Sequence, residues 1–538
     1  MTLPVNENPR CTFAIISHPD AGKTTMTEKL LWFGRVVREA GMVKSKQGNY
    51  AKSDWMEMEK ERGISITSSV MSFPYNQRAM HLLDTPGHKD FSEDTYRTLT
   101  AVESVLMMID SAKGVEEQTK KLMEVCRLRD TPIVTFMNKF DRDAMDPFEL
   151  IDNVEKICSI QCVPMTWPVG SGVDFKGVYD IKTKTIRSFD EGNDPESEKI
   201  LDASDLQSAE VLDYIGTELA EKLKEDLEMI QEMMPEFIEE EFLAGIMTPV
   251  FFGTALHNFG VKETLDMIST HGPGPAPREV RLSPFDENSD LREVLPNEKK
   301  FSGFIFKIQA NMDKKHRDRV AFMRVCSGVF ERNTKIHHVR TGKDIKIASP
   351  LIFQAQDREI TEKAYPGDII GLHDTGKFQI GDTFTHGEKI EFTGIPSFAP
   401  EIFRKVLLKD PMKAKQLDKG LQQLSEEGTV QLFRRHTSPE KILGAVGVLQ
   451  FEVVKHRLED EYGVRGEYEG YGFVGVRWLK FKNDIQKDKF IEKNSINIVY
   501  DNKGRPCFAV RSEWDLKLVM EKNEEVEFFT TSDFKKSH

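Results

Sequence analysis

The segment Ser17-His18-Pro19-Asp20-Ala21-Gly22-Lys23-Thr24, followed by Thr25, stands between an apolar run and a helical pattern. Its spacing is that of a phosphate-binding loop with serine in place of the first glycine. The backbone N–H groups of such a loop turn inward at a helix N-terminus and form a nest for anions. Lys23 is placed to reach the β- and γ-phosphates of a nucleotide, and the Thr24 hydroxyl to ligate Mg2+. A Gly-Lys-Thr loop alone also arises by chance, so the other clusters decide. Asp84-Thr85-Pro86-Gly87-His88 follows an apolar run, where a carboxylate linked to Mg2+ through water and a glycine sensing a γ-phosphate belong. Asn138-Lys139-Phe140-Asp141 ends another run. An aspartate there accepts hydrogen bonds from both N1–H and the 2-amino group of guanine. Adenine offers no such pair, so the motif selects GTP over ATP.

Two further segments complete the set. Gly253-Thr254-Ala255-Leu256 resembles the loop whose backbone N–H meets guanine O6. Arg62-Gly63-Ile64-Ser65-Ile66 lies between the phosphate loop and Asp84, where a switch loop supplies a second hydroxyl, that of Ser65, to Mg2+. Each cluster has an ordinary reading: Asp84 as a turn cap, Asn138 as a strand-end hydrogen bonder. Their order, each at the end of a strand candidate, points to a guanine-nucleotide site with GTP or GDP and Mg2+ as ligands.

The elements that must position these residues alternate in type. Thr12–Ile16, Met80–Leu83, Val105–Ile109, Ile133–Met137 and Val250–Phe252 read as strands separated by helical patterns, the signature of an α/β domain with a mostly parallel sheet. In open sheets of this kind ligands bind at the carboxyl ends of the strands. His271–Pro277 (HGPGPAP) breaks helix and strand alike and marks a boundary. Short β-rich runs then follow, Phe304–Ile308, Val320–Val325, Ile336–Val339, Ile345–Ala348 and Ile369–Leu372, which suggest a small β-barrel. From Ile402 to Tyr468 the order is β-α-β-β-α-β, the ferredoxin-like arrangement. The last ~65 residues are read as completing that unit, their elements left unplaced, and no internal repeat is evident. The expected fold is therefore a multi-domain α/β P-loop GTPase domain (1–275, with an acidic insert at about 160–245), a β-barrel domain (276–392) and an α+β ferredoxin-like domain (393–538).

Composition sets the outer limits. A chain of 538 residues, 39% hydrophobic and 30% charged, is globular and divides into several domains. No apolar stretch approaches the ~18–20 residues of a membrane helix, so no membrane partner is expected. The start, MTLPVNENPR, lacks a basic stretch followed by an apolar run, so a secretory signal is not expected. The six cysteines are scattered and fit buried thiols in a reducing cytoplasm better than a disulfide framework. The net charge of −14 is local: Arg187–Phe242 holds 19 acidic and four basic residues, which leaves the rest of the chain close to neutral. An acidic total therefore does not exclude an RNA-contacting surface elsewhere. Within that segment Leu212, Ile215, Leu219, Leu223, Leu227 and Ile230 recur at helical spacing, which predicts an amphipathic helix with an acidic outer face, and Arg187–Phe242 as a whole reads as a helical hairpin or small subdomain. That face is either simply solvated or a docking surface for a basic partner.

Taken together, SHPDAGKTT, RGISI, DTPGH, NKFD and GTAL resemble the translational GTPases, whose mark is the histidine of DTPGH. Within that group Ala51–Ile66, His88–Ser104 and Gly447–Val454 are similar to the bacterial peptide chain release factor three family, and the likeness runs over essentially the whole chain. The resemblance implies a cytoplasmic, ribosome-dependent GTPase of translation termination that drives stop-codon-reading class I release factors off the ribosome. It implies that His88 orients the attacking water, that Lys23 neutralises developing phosphate charge, that Pro19 and Ile64 gate the histidine, and that Asp20 helps hold a cation. Its implied partners are the ribosome, including ribosomal RNA and the stalk protein, and class I release factors. No DNA partner is expected, and a monomer is. Ser65 stands where elongation factors have threonine, and Thr254 where serine is usual. An elongation-factor-G-like or ribosome-protection GTPase would need further domains beyond the residues after Gly470. A GTP-gated scaffold without turnover is opposed by His88 and the Mg2+ set.

Overall fold

Near-continuous apolar runs form parallel strands only where both sheet faces are covered, and this chain builds its first sheet largely from such runs. The computed structural model describes residues 9–35, 68–127, 129–189, 198–284, 289–310, 319–354, 357–395, 397–438 and 440–532. Arg62–Ile66, with the expected Ser65 ligand and Ile64 gate, lies outside the described residues. By packing, the chain divides into one unit of 1–88, 101–276 and 351–370, and another of 89–100, 277–350 and 371–538.

In the first unit strand β1 (Arg10–Ser17) leads through the phosphate loop to helix α1 (Lys23–Phe33). Strands β2 (Ser69–Tyr75) and β3 (Arg78–Asp84) form an antiparallel pair. Helix α2 (Ser92–Leu99) follows in the chain but packs in the second unit. Next come β4 (Ser104–Asp110), α3 (Glu117–Arg127), β5 (Ile133–Asn138), α4 (Pro147–Cys158) and β6 (Gln161–Pro164). An insert of β7 (Thr166–Val169), β8 (Gly177–Asp180), β9 (Thr185–Phe189) and β10 (Glu198–Asp202) forms its own antiparallel sheet. Helices α5 (Ala209–Ile215) and α6 (Thr217–Met233) lead back to β11 (Met247–Phe252) and α7 (Val261–His271). The main sheet runs β2-β3-β1-β4-β5-β11-β6 and is parallel from β3 onward. Every residue of β1, β4, β5 and β11 is buried, and Phe13, Ile15, Leu106 and Phe136 anchor the core beneath α1 and α7.

The periodic stretch Leu212–Ile230 forms two helices rather than one continuous helix, α5 and α6, broken at Gly216, whose φ of 82° only glycine adopts readily. Ile215, Leu223 and Ile230 are buried as the spacing requires. Asp226 is not part of the solvated acidic face: it accepts a 2.9 Å hydrogen bond from Trp167 Nε1. Partial burial raises its carboxyl above the usual range.

In the second unit β12 (Ser302–Ala310), β13 (Arg319–Ser327), β14 (Lys335–His338), β15 (Lys343–Lys346) and β16 (Thr383–Thr385) pair antiparallel in the order β15-β14-β16-β12-β13. The C-terminal part is an eight-stranded sheet. Its first half is β17 (Ile402–Leu408), α8 (Ala414–Glu426), β18 (Gln431–Arg435), β19 (Lys441–Ala445), α9 (Val448–Tyr462) and β20 (Gly466–Gly470). The second half is β21 (Gly475–Lys480), α10 (Asp484–Lys493), β22 (Ile498–Tyr500), β23 (Pro506–Val510), α11 (Glu513–Glu521) and β24 (Glu527–Phe529). The sheet order is β20-β17-β19-β18-β22-β23-β21-β24. The last residues therefore do not merely complete one ferredoxin-like unit. They form a second βαββαβ motif that shares the sheet, an internal structural repeat the sequence does not display. Its β22 and β24 have three residues each, and α10 buries only Phe490 and Ile491, too little for a helical period to stand out.

All six cysteines are buried and free, as expected. Among the described residues no helix is long and apolar enough to cross a membrane.

A buried ion cluster ties Leu351–Ile370 into the first unit. Asp368 accepts 3.0 Å hydrogen bonds at Oδ1 from Arg10 Nε and the His81 ring, and a 2.7 Å bond at Oδ2 from the Tyr365 N–H. Arg10 also stacks on the Tyr365 ring, 4.6 Å from its centroid. Burial alone would raise the Asp368 carboxyl, but His81 and Arg10 outweigh it and hold the carboxyl below the usual carboxylate range. Its contribution is thus complete at neutral pH and is lost only as pH falls through that depressed value. Asp368→Ala strands the buried Arg10 guanidinium and is expected to cost about 3–5 kcal/mol. Urea denaturation at pH 7 checks this, and a midpoint equal to that of the parent would show that the cluster contributes nothing.

Candidate functional site

The carboxyl ends of β1, β3, β5 and β11 bring the sequence-marked loops together in the first unit. Ser17 closes β1, and the turn that follows carries Asp20 at φ 66° and Gly22 at φ 96°. A Cβ on Gly22 would collide with Asn138 Nδ2, so this position needs glycine for space as well as conformation. The reason is the Asn138 carboxamide at the end of β5. Its Nδ2 donates to Ala21 O at 2.7 Å, and its Oδ1 accepts from the Ala255 N–H at 2.8 Å. One side chain thereby links the phosphate loop to the Gly253–Leu256 loop.

Lys23 begins α1 and is buried, with Nζ 3.1 Å from Asp84 Oδ1 and also donating to Thr85 O. Thr85 Oγ1 in turn donates to Ile15 O at 2.6 Å, pinning the loop after β3 to β1. Gly87 lies beside Pro19, and a Cβ on it would make ordinary 3.5 Å contacts with the Pro19 backbone. The Pro86–Gly87–His88 stretch therefore runs along the phosphate loop, with His88 half-buried. Lys139 takes a φ of 75° and its Nζ pairs with Asp110 Oδ2 at 2.7 Å. Phe140 is buried edge-on against Phe252, with centroids 5.5 Å apart, and its N–H donates to Gly253 O at 3.2 Å. Non-glycine residues held at positive φ, here Asp20, Lys139 and Asn258, mark places where surrounding structure overrides local preference.

What the site has to offer is a set of buried polar atoms without a partner among the described residues: Ser17 Oγ, His18 Nδ1, Asp84 Oδ2, Asp141 Oδ1 and Thr254 Oγ1. Buried polar groups are normally satisfied, so a cluster of orphans at converging strand ends fits a polar ligand. Asp141 Oδ1 is a buried acceptor able to take an N–H from a ligand such as a nucleobase edge. Asp84 Oδ2, near the start of α1 where Thr24 stands, fits a hydrated cation. Among the described residues no group of three or more His, Cys, Asp or Glu is arranged to hold a metal ion.

Ser17 through Thr25, Asp84 through His88, Asn138 through Asp141 and Thr254 through Leu256 are thus gathered at one sheet edge, and Ser65 falls outside the described residues. Leu256 is 39% exposed. Three neighbours escaped the sequence reading. Glu116 Oε2 lies 3.0 Å from His18 Nε2, Asp110 holds Lys139, and His257 Nε2 stands 4.0 Å from Asp141 Oδ2. Asp110 directly follows the strand candidate Val105–Ile109 and His257 adjoins Leu256, so nearness to a marked strand end or loop is the available signal for both.

Comparisons with known proteins agree with this geometry. Residues 8–274 match the elongation factor Tu GTP binding domain family, residues 300–387 match elongation factor G domain 2, and residues 392–520 match the C-terminal domain of the class II release factor RF3. A crystal structure of a Thermus thermophilus protein has the same fold at a TM-score of 0.67 and 20% identity, over 88% of this chain and 71% of that one. A GTP binding domain, an elongation-factor second domain and a release-factor C-terminal domain, in that order, make this chain a translational GTPase with a C-terminal domain of the class II release factor RF3 family.

Proposed function

We propose that this protein is a ribosome-stimulated GTPase of translation termination that promotes dissociation of class I release factors after the peptide has been freed. The observation that carries the reading is the release-factor match over 392–520, joined in one chain to a GTP binding domain with orphaned polar atoms at its strand ends. We take 1–275, with its insert at about 160–245, 276–392 and 393–538 as the functional domains, and a cytoplasmic monomer as the working form. The experiment for the reading as a whole is recycling of class I factors from post-release ribosomes with GTP. Retention of the factors despite hydrolysis would refute it.

In this reading the Ser17–Thr25 loop cradles phosphates, and Lys23 turns its ammonium towards the β/γ-bridging region. Thr24, Ser65 and, through water, Asp84 hold Mg2+, which supplies charge neutralisation when bound. Asp141 accepts from guanine N1–H and the 2-amino group, Asn138 and Lys139 frame the base, and the Thr254–Leu256 backbone meets O6. Thr85, Pro86 and Gly87 carry His88, which orients the attacking water. Hydrolysis needs positioning more than covalent chemistry, and a half-buried His88 next in the chain to Gly87, which lies beside Pro19, suits a group held back until a partner reorders the loop.

Asp141→Asn is expected to move base preference from guanine towards xanthine, weakening GDP binding by about 2–4 kcal/mol. Equilibrium titration with fluorescent nucleotides measures it, and unchanged GDP affinity would refute the base-site assignment. His88→Ala is expected to keep nucleotide affinity while lowering ribosome-stimulated turnover by at least ~100-fold. Equal phosphate release by parent and variant at saturating ribosomes would remove His88 from catalysis.

The acidic insert is proposed to meet the ribosomal stalk protein, because a single-sign field accelerates association with a basic partner. Glu225, Glu228 and Glu232 are carried on α6, whereas Asp226 is bonded to Trp167 and does not belong to that face. Neutralising the three glutamates is expected to slow ribosome association and flatten its salt dependence, with nucleotide binding unchanged. Stopped-flow association at two salt concentrations decides it. Unchanged rates would return the face to simple solvation.

A further inference from the structure

Between β22 and β23 stands Asp501-Asn502-Lys503-Gly504-Arg505, a turn sequence in which the aspartate can bond the backbone ahead of it and the glycine can take a positive φ. The structure uses both. Asp501 Oδ1 accepts from Lys503 N and Arg505 N, each at 2.9 Å, and Gly504 has a φ of 76°. The turn is also tied to its neighbours. Asp501 Oδ2 accepts from Trp478 Nε1 at 3.0 Å and from Arg505 Nε at 2.8 Å, and Asn502 Nδ2 donates to Ser425 Oγ at 2.7 Å. Lys503 is held at the tip with its side chain unused: its Nζ makes no hydrogen bond or ion pair with any described residue. The ammonium lies over Gly381, where a Cβ would stand 3.4 Å from it.

The same turn walls a cavity of about 80 Å3 whose lining residues all belong to the second unit. That is more room than a single water needs. The two carboxylates in its wall are already committed, Asp501 to Arg505 at 2.8 Å and Glu426 to Arg319 at 3.1 Å. What remains can donate: the Lys503 ammonium, the Gln379 carboxamide and the Ser397 hydroxyl line the cavity, and none of these three side chains has a hydrogen-bond partner among the described residues. Lys503 is exposed to water, yet the surrounding protein desolvates its ammonium and, with Arg505 adding repulsion, holds its pKa below the usual lysine value. Asp501, Asp382 and Glu391 draw it the other way, but each is paired with an arginine of its own, Arg505, Arg340 and Arg281. A desolvated cation without a partner is costly, and an anion beside it removes that cost.

We propose that this cavity is a binding site for a small oxyanion of phosphate size, taken by the Lys503 ammonium together with the donors of Gln379 and Ser397. None of its residues belongs to the nucleotide loops, and the proposal stands without the GTPase reading. An anion so placed bridges the 501–505 turn to the segment that carries Gln379 and Ser397, and a ligand that binds only the folded chain stabilises it.

The full-length chain tests this by calorimetric titration with inorganic phosphate at constant ionic strength. Chloride is the reference anion, and a non-hydrolysable GTP analogue with Mg2+ fills the nucleotide site so that the phosphate loop takes no free phosphate. Expected is saturable binding at one site, weakened at least about tenfold in Lys503→Met and about threefold in Gln379→Leu. Lys503→Met removes no hydrogen bond or ion pair of the side chain among the described residues and is expected to keep the parental thermal midpoint in chloride. A second measurement needs no variant. Mass spectrometry after amine acetylation is expected to show Lys503 protected about tenfold by phosphate and not by chloride at equal ionic strength. A parent chain that takes up no phosphate overturns the proposal. So does phosphate binding of equal strength in Lys503→Met, or acetylation of Lys503 at the same rate in the two salts.

Discussion

The carboxamide of Asn138 is the constraint on which the nucleotide-binding edge depends. Placed at the end of a fully buried strand, it donates to the phosphate loop at Ala21 O and accepts from the Gly253–Leu256 loop at Ala255 N. Two loops far apart in sequence are thereby fixed to a third, with both polar ends of one side chain used. The same carboxamide requires glycine at position 22, since any Cβ there would collide with it. Loops that carry function are mobile unless tied down, and here the tie is internal to the site.

Much of this edge is legible in the sequence because the motifs are local. Ser17–Thr24, Asp84–His88 and Asn138–Asp141 each lie within a few residues at the end of an apolar run, and the strands beneath them are mostly hydrophobic. What was not legible depends on partners distant in sequence. No local pattern links Glu116 to His18 or Asp110 to Lys139, nor marks Asp226 as the partner of Trp167 rather than one more solvated acid. The position of the break at Gly216 is hidden in the sequence because the spacing of leucines and isoleucines continues across it. The second βαββαβ motif was hidden by strands three residues long, in which no alternation has room to repeat.

Cores differ in the same way across the C-terminal sheet. The first half is organised by Leu417, Leu421 and Leu424 of α8 against Phe451, Val454 and Leu458 of α9, a regular apolar spacing that sequence reading recovers. The second half relies on Trp478, Phe490, Phe508 and Phe529, where few large aromatic rings supply the buried area. The helix N-cap at Gly447 belongs to the regular half, yet its completing carboxylate comes from Asp90, just beyond the DTPGH segment. An element that looks like part of the nucleotide-binding machinery in sequence is, in packing, part of the other unit.

Calorimetric titration of the parent chain with GDP and with ADP, each with Mg2+, tests the central claim most directly. The geometry of Asp141, Asn138 and the orphaned atoms at the strand ends predicts tight, Mg2+-dependent binding of GDP. Binding of ADP is expected to be weaker by at least about a hundredfold, since a site built to hydrogen-bond a group strongly rejects a ligand lacking it. Equal affinity for the two nucleotides, or binding of neither, would contradict the account.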